Sequence, residues 1–318
     1  MSASPAPHEA LLAELRPRAF AIAYRMLGSV AEAEDVVQEA LLRLHRVLAG
    51  GERLASPRAY VATITTRLAI DQLRSARMRR EQYPGEWLPE PIVEDPRSDQ
   101  TDPAARAELA ESLSLAFMAL LERLTPEQRA VLLLRDVFGY DFGEIAAIIG
   151  KSETNVRQLA VRARRRVEEY RPRFTVAEAE RRRLASAFFA ALERGDFATL
   201  ESHLAEEVAL HGDGGGKAPA LARAISGRSR VARTLAAWGR QASLVGGTAR
   251  PVTVNGGAGA ILADASGAVV AVMALEFEEA RIVAIHSVIN PDKLRHVGHV
   301  ADAWSLLRKA SAGTSGRD

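Results

Sequence analysis

Two stretches of this 318-residue chain carry residue types that could do chemistry. The first is a helical pattern from Ser152 to about Glu169. At about 100° per residue, Thr154, Gln158, Arg162 and Arg165 fall near one face, with Asn155 and Arg157 on its flanks. Val156, Leu159, Ala160, Ala163 and Val167 fall on the other face. One side packs, and the other offers guanidinium, amide and hydroxyl groups, which pair with phosphates and base edges in a major groove. A solvated arginine face is the plain alternative. The second stretch is Asp213-Gly214-Gly215-Gly216-Lys217. A glycine-rich run with a lysine can cradle a phosphate, but the G-x-x-x-x-G-K-[ST] spacing of a nucleotide loop is missing. Asp213 and His211 with His286 could instead form an acid–base pair, although a single His in a strand more often satisfies a core. The third reading is a contact loop: glycines admit close backbone approach, and Asp213 and Lys217 anchor by charge.

The elements that position the basic face are legible. Thr125-Pro126-Glu127-Gln128 is a T-x-x-Q capping box with proline at the first helical position. That helix should end near Phe138-Gly139. A second starts at Asp141, with Glu144 three residues on, and ends at Gly150. Short helix, glycine turn and basic helix make a helix-turn-helix.

Composition narrows the rest. Hydrophobic residues are 47% of the chain, enough for sizeable cores, and the net charge is only +2. Local arginine clusters, not overall charge, must carry any nucleic-acid case. There is no cysteine, so disulfides, thiolate metal sites and cysteine catalysis are excluded. No metal or cofactor is expected. No apolar run reaches the roughly 18 residues of a membrane span, and MSASPAPHEA is no secretory signal. A cytoplasmic protein without membrane association is expected.

Upstream, residues 9–27 read as an amphipathic helix closed by Gly28, and Ser29-Val30-Ala31-Glu32 caps the next. Ser56-Pro57 starts a third helix with a basic far end: Arg67, Arg74, Arg77, Arg79 and Arg80. Residues 23–46 and 56–81 resemble region 2 of the sigma-70 family, and residues 125–167 resemble its region 4. The order is that of the extracytoplasmic-function group. The resemblance implies that Asp35, Gln38 and Arg43 face the β′ coiled coil of core RNA polymerase. It implies that Arg67, Arg74 and Arg77 engage a −10 element. Thr154, Asn155, Arg157, Gln158, Arg162 and Arg165 would engage a −35 element of promoter DNA. An ordinary solvated face is the alternative for the first set, and a salt bridge between Asp71 and an arginine is the plain reading of that acid.

Residues 81–108 connect the helical parts. Pro84, Pro89, Pro91 and Pro96 should keep the segment extended and largely non-helical. Inside it, Trp87-Leu88-Pro89 is an apolar patch that needs a pocket. A helix from about Pro103 to Arg123 follows. Beyond Arg173, Thr175-Val176-Ala177-Glu178 should cap a helix to Glu193, and strands then predominate: Ala249–Val254, Gly259–Ala263, Ala268–Glu278 and Arg281–Val288. This order resembles a SnoaL-like cone, and the whole chain resembles sigma factors carrying that extension. Trp87–Pro91, Asp213–Lys217 and Asn290-Pro291-Asp292-Lys293-Leu294 sharpen the match.

The expected fold is therefore multidomain. It comprises an all-α region 2 domain (9–81), a Pro-rich linker (82–108), an all-α region 4 helix-turn-helix domain (109–173), an α+β SnoaL-like cone (175–298) and a C-terminal tail (299–318). Trp87, Leu88, Pro89, Asp213, Gly214, Gly215, Gly216, Lys217, Asn290, Pro291, Asp292 and Lys293 are expected to form an intramolecular contact through which the C-terminal domain regulates in cis. A small-molecule ligand of that domain is possible. The chain itself is expected to catalyse nothing. The alternative is a DNA-binding regulator fused to an acid–base enzyme or small-molecule sensor.

Overall fold

Serine caps and a glycine break set the first three helices. α1 (Pro7–Leu27) ends where Gly28 turns left-handed at φ 68°. α2 (Val30–Ala49) starts from Ser29, whose hydroxyl accepts the Glu32 N–H at 3.2 Å. α3 (Pro57–Glu81) starts from Ser56, which accepts the Ala59 N–H at 3.2 Å. The computed structural model describes residues 7–94, 114–168 and 177–314. Each of the three helices turns an apolar stripe to the other two, with Leu15, Ile22, Val37, Leu44, Val61 and Ile70 buried.

The chain divides into two compact units. The first takes Met1–Glu81, Asp102–Glu111 and Met118–Arg171, and the second takes Gln82–Thr101, Ser112–Phe117 and Pro172–Asp318. α4 (Leu115–Leu121) begins in the second unit and continues into the first at Met118. In the first, α5 (Pro126–Leu132) runs into a wide π-turn over Leu133–Val137. α6 (Phe142–Ile149) and α7 (Glu153–Glu168) complete it. Both limbs of the Thr125/Gln128 and Asp141/Glu144 capping boxes are present.

In the second unit, β1 (Val93–Glu94) comes from the segment after α3. Then follow α8 (Glu178–Arg194), α9 (Phe197–His203), β2 (Leu204–Asp213), β3 (Ile225–Ser226) and α10 (Arg228–Leu244). β4 (Thr248–Val254), β5 (Gly257–Ala263), β6 (Val269–Glu278) and β7 (Arg281–Val288) form a meander, and α11 (Ala303–Thr314) closes the chain. The sheet order is β1-β4-β5-β6-β7-β2-β3. Every pair is antiparallel except β2–β7. Phe188, Phe189 and Leu192 of α8 and Val231 and Leu235 of α10 pack against Met273, Leu275 and Ile285 of the sheet. This is the expected α+β arrangement.

The structure bears on four expectations. α8 begins at Glu178 from Ala177 without a side-chain cap, and Thr175 and Val176 lie outside the described residues. Of the helix expected from about Pro103 to Arg123, residues 103–113 lie outside the described residues, and the described part is α4, where the Ser114 hydroxyl accepts the Phe117 N–H at 3.2 Å. The Pro-rich linker expected over 82–108 is non-helical over its described residues 82–94, which belong to the second unit, and β1 adds to the edge of β4. The expected tail carries α11: Asp302 caps it through the Ser305 N–H at 3.0 Å, and Ala310 is buried.

β6 is buried along nearly its whole length, and Glu276 sits within it at 5% exposure. Burial pushes its carboxyl up to about 7, against hydrogen bonds from the Ser114 side chain and the Ala116 backbone and the charge of Arg181. The unfolded chain ionises this group first, at the ordinary value of 4.5. Its contribution is therefore complete below about pH 4.5 and is lost as pH rises to about 7. Glu276→Gln removes that loss. Urea midpoints should show the variant gaining on the wild type across this window, with a constant difference above it. A pH-independent difference overturns the assignment.

Candidate functional site: a basic helix and a clasped linker

Gly150 ends α6 in the left-handed conformation at φ 66°, and Ser152 opens α7 by accepting the Asn155 N–H at 3.3 Å. This short turn lets Val156 and Ala160 pack on Val131, Leu134, Ile145 and Ile148. Thr154, Asn155, Arg157, Gln158, Arg162 and Arg165 are all exposed on α7. Arg157 bonds Glu153 one turn back and lies 4.5 Å from the Phe142 ring centroid. Arg164 pairs with Asp136 and Arg166 donates to the Arg123 carbonyl at 3.2 Å, so these two fasten the helix. Arg162 and Arg165 make no ion pair among the described residues. The exposed face carries these two guanidinium groups beside amides and a hydroxyl, which suits phosphate and base-edge contact.

The second site lies wholly within the second unit. Asp213 ends β2 with a fully buried side chain. Its Oδ1 accepts the Tyr83 hydroxyl at 2.6 Å. Its Oδ2 accepts the Leu88 N–H at 2.8 Å and the Lys293 ammonium at 2.6 Å. Lys293 also donates to the Leu88 carbonyl at 2.5 Å, and its Nζ lies 4.0 Å from the Trp87 ring centroid. Asn290 donates to the Tyr83 oxygen at 2.7 Å. Burial, then the Asp213 carboxylate, pushes the Tyr83 phenol far above its ordinary range, so it stays a donor. Lys217 pairs with Asp292 at the exposed rim.

Glycine is required where this loop meets the linker. A Cβ on Gly215 would lie 2.2 Å from the Asn290 amide nitrogen and 2.8 Å from the Tyr83 oxygen, at φ 57°. The rest of the linker is tied down in sequence order. Glu86 meets His211 at 2.7 Å, the Pro91 carbonyl meets His296 at 2.8 Å, and the Ile92 N–H meets Asn255 at 3.0 Å.

Known proteins show the same organisation. The sigma-70 region 2 family matches residues 11–79 and the sigma-70 region 4 family matches residues 114–167. The ECF RNA polymerase sigma factor SigJ of Mycobacterium tuberculosis is 38% identical over 288 residues, covering 88% of this chain and 90% of its own. This chain belongs to the ECF RNA polymerase sigma factors. The probable ECF sigma factor SigI of the same organism is 34% identical over 92% of this chain and 94% of its own. The crystal structure of M. tuberculosis SigJ superposes with a TM-score of 0.72 at 33% identity, covering 90% of this chain and 98% of that one.

In this sigma factor the remaining region 2 residues are placed as follows. Asp35, Gln38 and Arg43 are exposed on α2, and Arg43 pairs with Glu39 at 2.7 Å. Arg67 donates to the carbonyls of Ile148 and Ala147 at the end of α6, at 2.7 and 3.0 Å. Arg74 bonds Glu127 at 2.6 Å and Asp71 at 3.2 Å. Both cations are thus engaged inside the first unit. The side chain of Arg77 lies outside those described.

Both Asp213 oxygens are occupied. His286 stacks on His211 with ring centroids 4.8 Å apart. Burial, then the neighbouring His211, lowers His286 to about 3, so near neutrality the ring is uncharged and no imidazolium is there to act as a general acid. Among the described residues no His/Asp/Glu cluster suits a metal ion, and no helix is long and apolar enough to cross a membrane.

Tyr83, Glu86, Asn255 and His296 belong to this site but were not singled out from sequence. Tyr83 four residues before Trp87, in a proline-rich segment, was the available signal. Asp213→Asn leaves the Lys293 ammonium buried without its carboxylate and should cost ~3–5 kcal/mol. Adding Lys293→Met removes the orphaned charge and should recover part of that loss. Thermal unfolding of both singles and the double checks this, and strictly additive losses would count against a coupled pair.

Proposed function

We propose that this sigma factor binds core RNA polymerase through the exposed face of α2 carrying Asp35, Gln38 and Arg43. It reads a −35 element with Thr154, Asn155, Arg157, Gln158, Arg162 and Arg165 of α7. It engages a −10 element with Arg67, Arg74 and Arg77 of α3. The C-terminal domain then sets this activity in cis, through a contact that joins Trp87, Leu88 and Pro89 to the Gly214–Lys217 loop and to Asn290–Lys293. The observation that carries the regulatory part is the buried Asp213–Lys293 pair closed around Leu88. Residues 82–94 lie between α3 and region 4 in the chain, so holding them shortens the free tether between two DNA-reading modules. A bound tether biases which placements of those modules are populated.

Run-off transcription with core polymerase tests the reading. Trp87→Ala, Gly215→Val and Asp213→Asn should each change transcript yield in the same direction. Unchanged yield in all three removes the regulatory role while leaving promoter recognition standing.

Arg67 and Arg74 support a second element of regulation. Their guanidinium groups are spent on Ala147, Ile148 and Glu127. Glu127 is half-buried, while Arg74 stays open to solvent at 57% exposure. For DNA contact these cations must exchange an internal partner for a phosphate. Removing the two sides of one ion pair should therefore act oppositely: Glu127→Ala raises promoter binding a few-fold, and Arg74→Ala lowers it. Equal losses from both would show a purely structural bridge. Arg162→Ala and Arg165→Ala should weaken −35 binding, each reducing the slope of log K against log salt by about 1.

A further inference from the structure

We infer that the C-terminal domain binds an uncharged, largely hydrocarbon small molecule in a cavity bounded by α10, the sheet and α11, and that occupancy is coupled to the linker clasp by the loop 214–221. The cavity has a volume of about 520 Å³, within the range of small-molecule sites. Trp238, Leu262, Met273 and Leu307 line it, and Trp304 makes it two of the chain's three tryptophans. Among the described residues the lining holds no lysine or arginine. Its carboxylates, Glu193 and Asp264, already accept backbone N–H groups from Ala249 and from Ser266 and Ala268. An anion would thus meet two carboxylates and no cation, with heavy desolvation cost. Ser287, Thr248 and Gln241 leave room for a few orienting hydrogen bonds.

Coupling follows from covalent continuity. Asp213 to Lys217 form the clasp, and Ala218 to Leu221, next in the chain, form a wall of the cavity. Leu221 sits between the two sites. A Cβ on Gly212 would lie 3.3 Å from the Leu221 nitrogen, and one on linker Gly85 would lie 3.9 Å from its carbonyl oxygen. On the neighbouring strand, Ser287 and Ile289 line the cavity, and the Ile289 N–H donates to the Asp213 carbonyl at 2.8 Å. A ligand that presses on Leu221 or Ile289 acts on the segments that hold Asp213 and the linker. The inference rests on the clasp proposed above.

The test titrates the full chain with N-phenyl-1-naphthylamine and with its sulfonated relative 1-anilinonaphthalene-8-sulfonate, following fluorescence. The neutral probe should bind saturably and more tightly than the anion. Ala271→Phe on β6 and Ala310→Phe on α11 fill the cavity from opposite walls, and at least one should weaken the neutral probe about tenfold. By reciprocity, Asp213→Asn or the milder rim variant Lys217→Ala should shift its Kd about fivefold or more. No saturable binding, or binding untouched by both filling variants, overturns the site. Equal affinity for the anion overturns the uncharged class. A Kd unmoved by both clasp variants overturns the coupling. Transcription altered by Asp213→Asn without any probe site would leave the clasp in place and remove the ligand.

Discussion

The arrangement of the second unit depends on one buried carboxylate. Asp213 is fully buried, and a carboxylate there must have its charge and its lone pairs met. Lys293 meets the charge, and Tyr83 and the Leu88 N–H meet the remaining oxygens. Three distant stretches of chain are thereby obliged to meet: the linker, the end of β2 and the turn after β7. Apolar contact alone would hold Trp87 and Leu88 against many surfaces. The ion pair, which costs heavily if half made, selects one register. Glycine at 215 is what allows the loop to approach closely enough, because any side chain there would overlap Asn290 and Tyr83.

The same economy of charge governs the first unit. α7 carries a run of arginines, yet they do different jobs. Arg164 and Arg166 are tied to Asp136 and to the Arg123 carbonyl, which fixes the helix on its support. Arg162 and Arg165 project outward on the exposed face. On α3 the sorting differs: Arg67 caps the carbonyl end of α6, where the helix dipole favours a cation. A basic count along a helix therefore overstates the charge that is available to DNA.

The residues that hold the linker, Asp213 to Lys217, run directly into Ala218 to Leu221, which wall the cavity. Burial on both faces of β6 also places Glu276 where its carboxyl titrates near neutrality. That carboxyl faces Ser114 and the start of the helix that leads into region 4.

Much of this molecule was legible from residue order. Caps, glycine stops and apolar periodicity are local, so the five helices α1, α2, α3, α6 and α7 and the meander β4–β7 follow from nearest neighbours along the chain. The two faces of α7 follow from the same periodicity. The sequence also marked Trp87 as a side chain that needs a pocket and offered close backbone approach as one of three readings of Asp213–Lys217. It did not show that Tyr83, Glu86, Asn255 and His296 complete the site, nor that Arg67 and Arg74 are internally engaged, nor that α11 walls a cavity. Those facts join residues 53 to 207 positions apart, and no local rule reaches that far. Residue types determined which groups must find partners; the tertiary structure decided which partners, because a buried charge is satisfied by whatever the fold brings within hydrogen-bond distance.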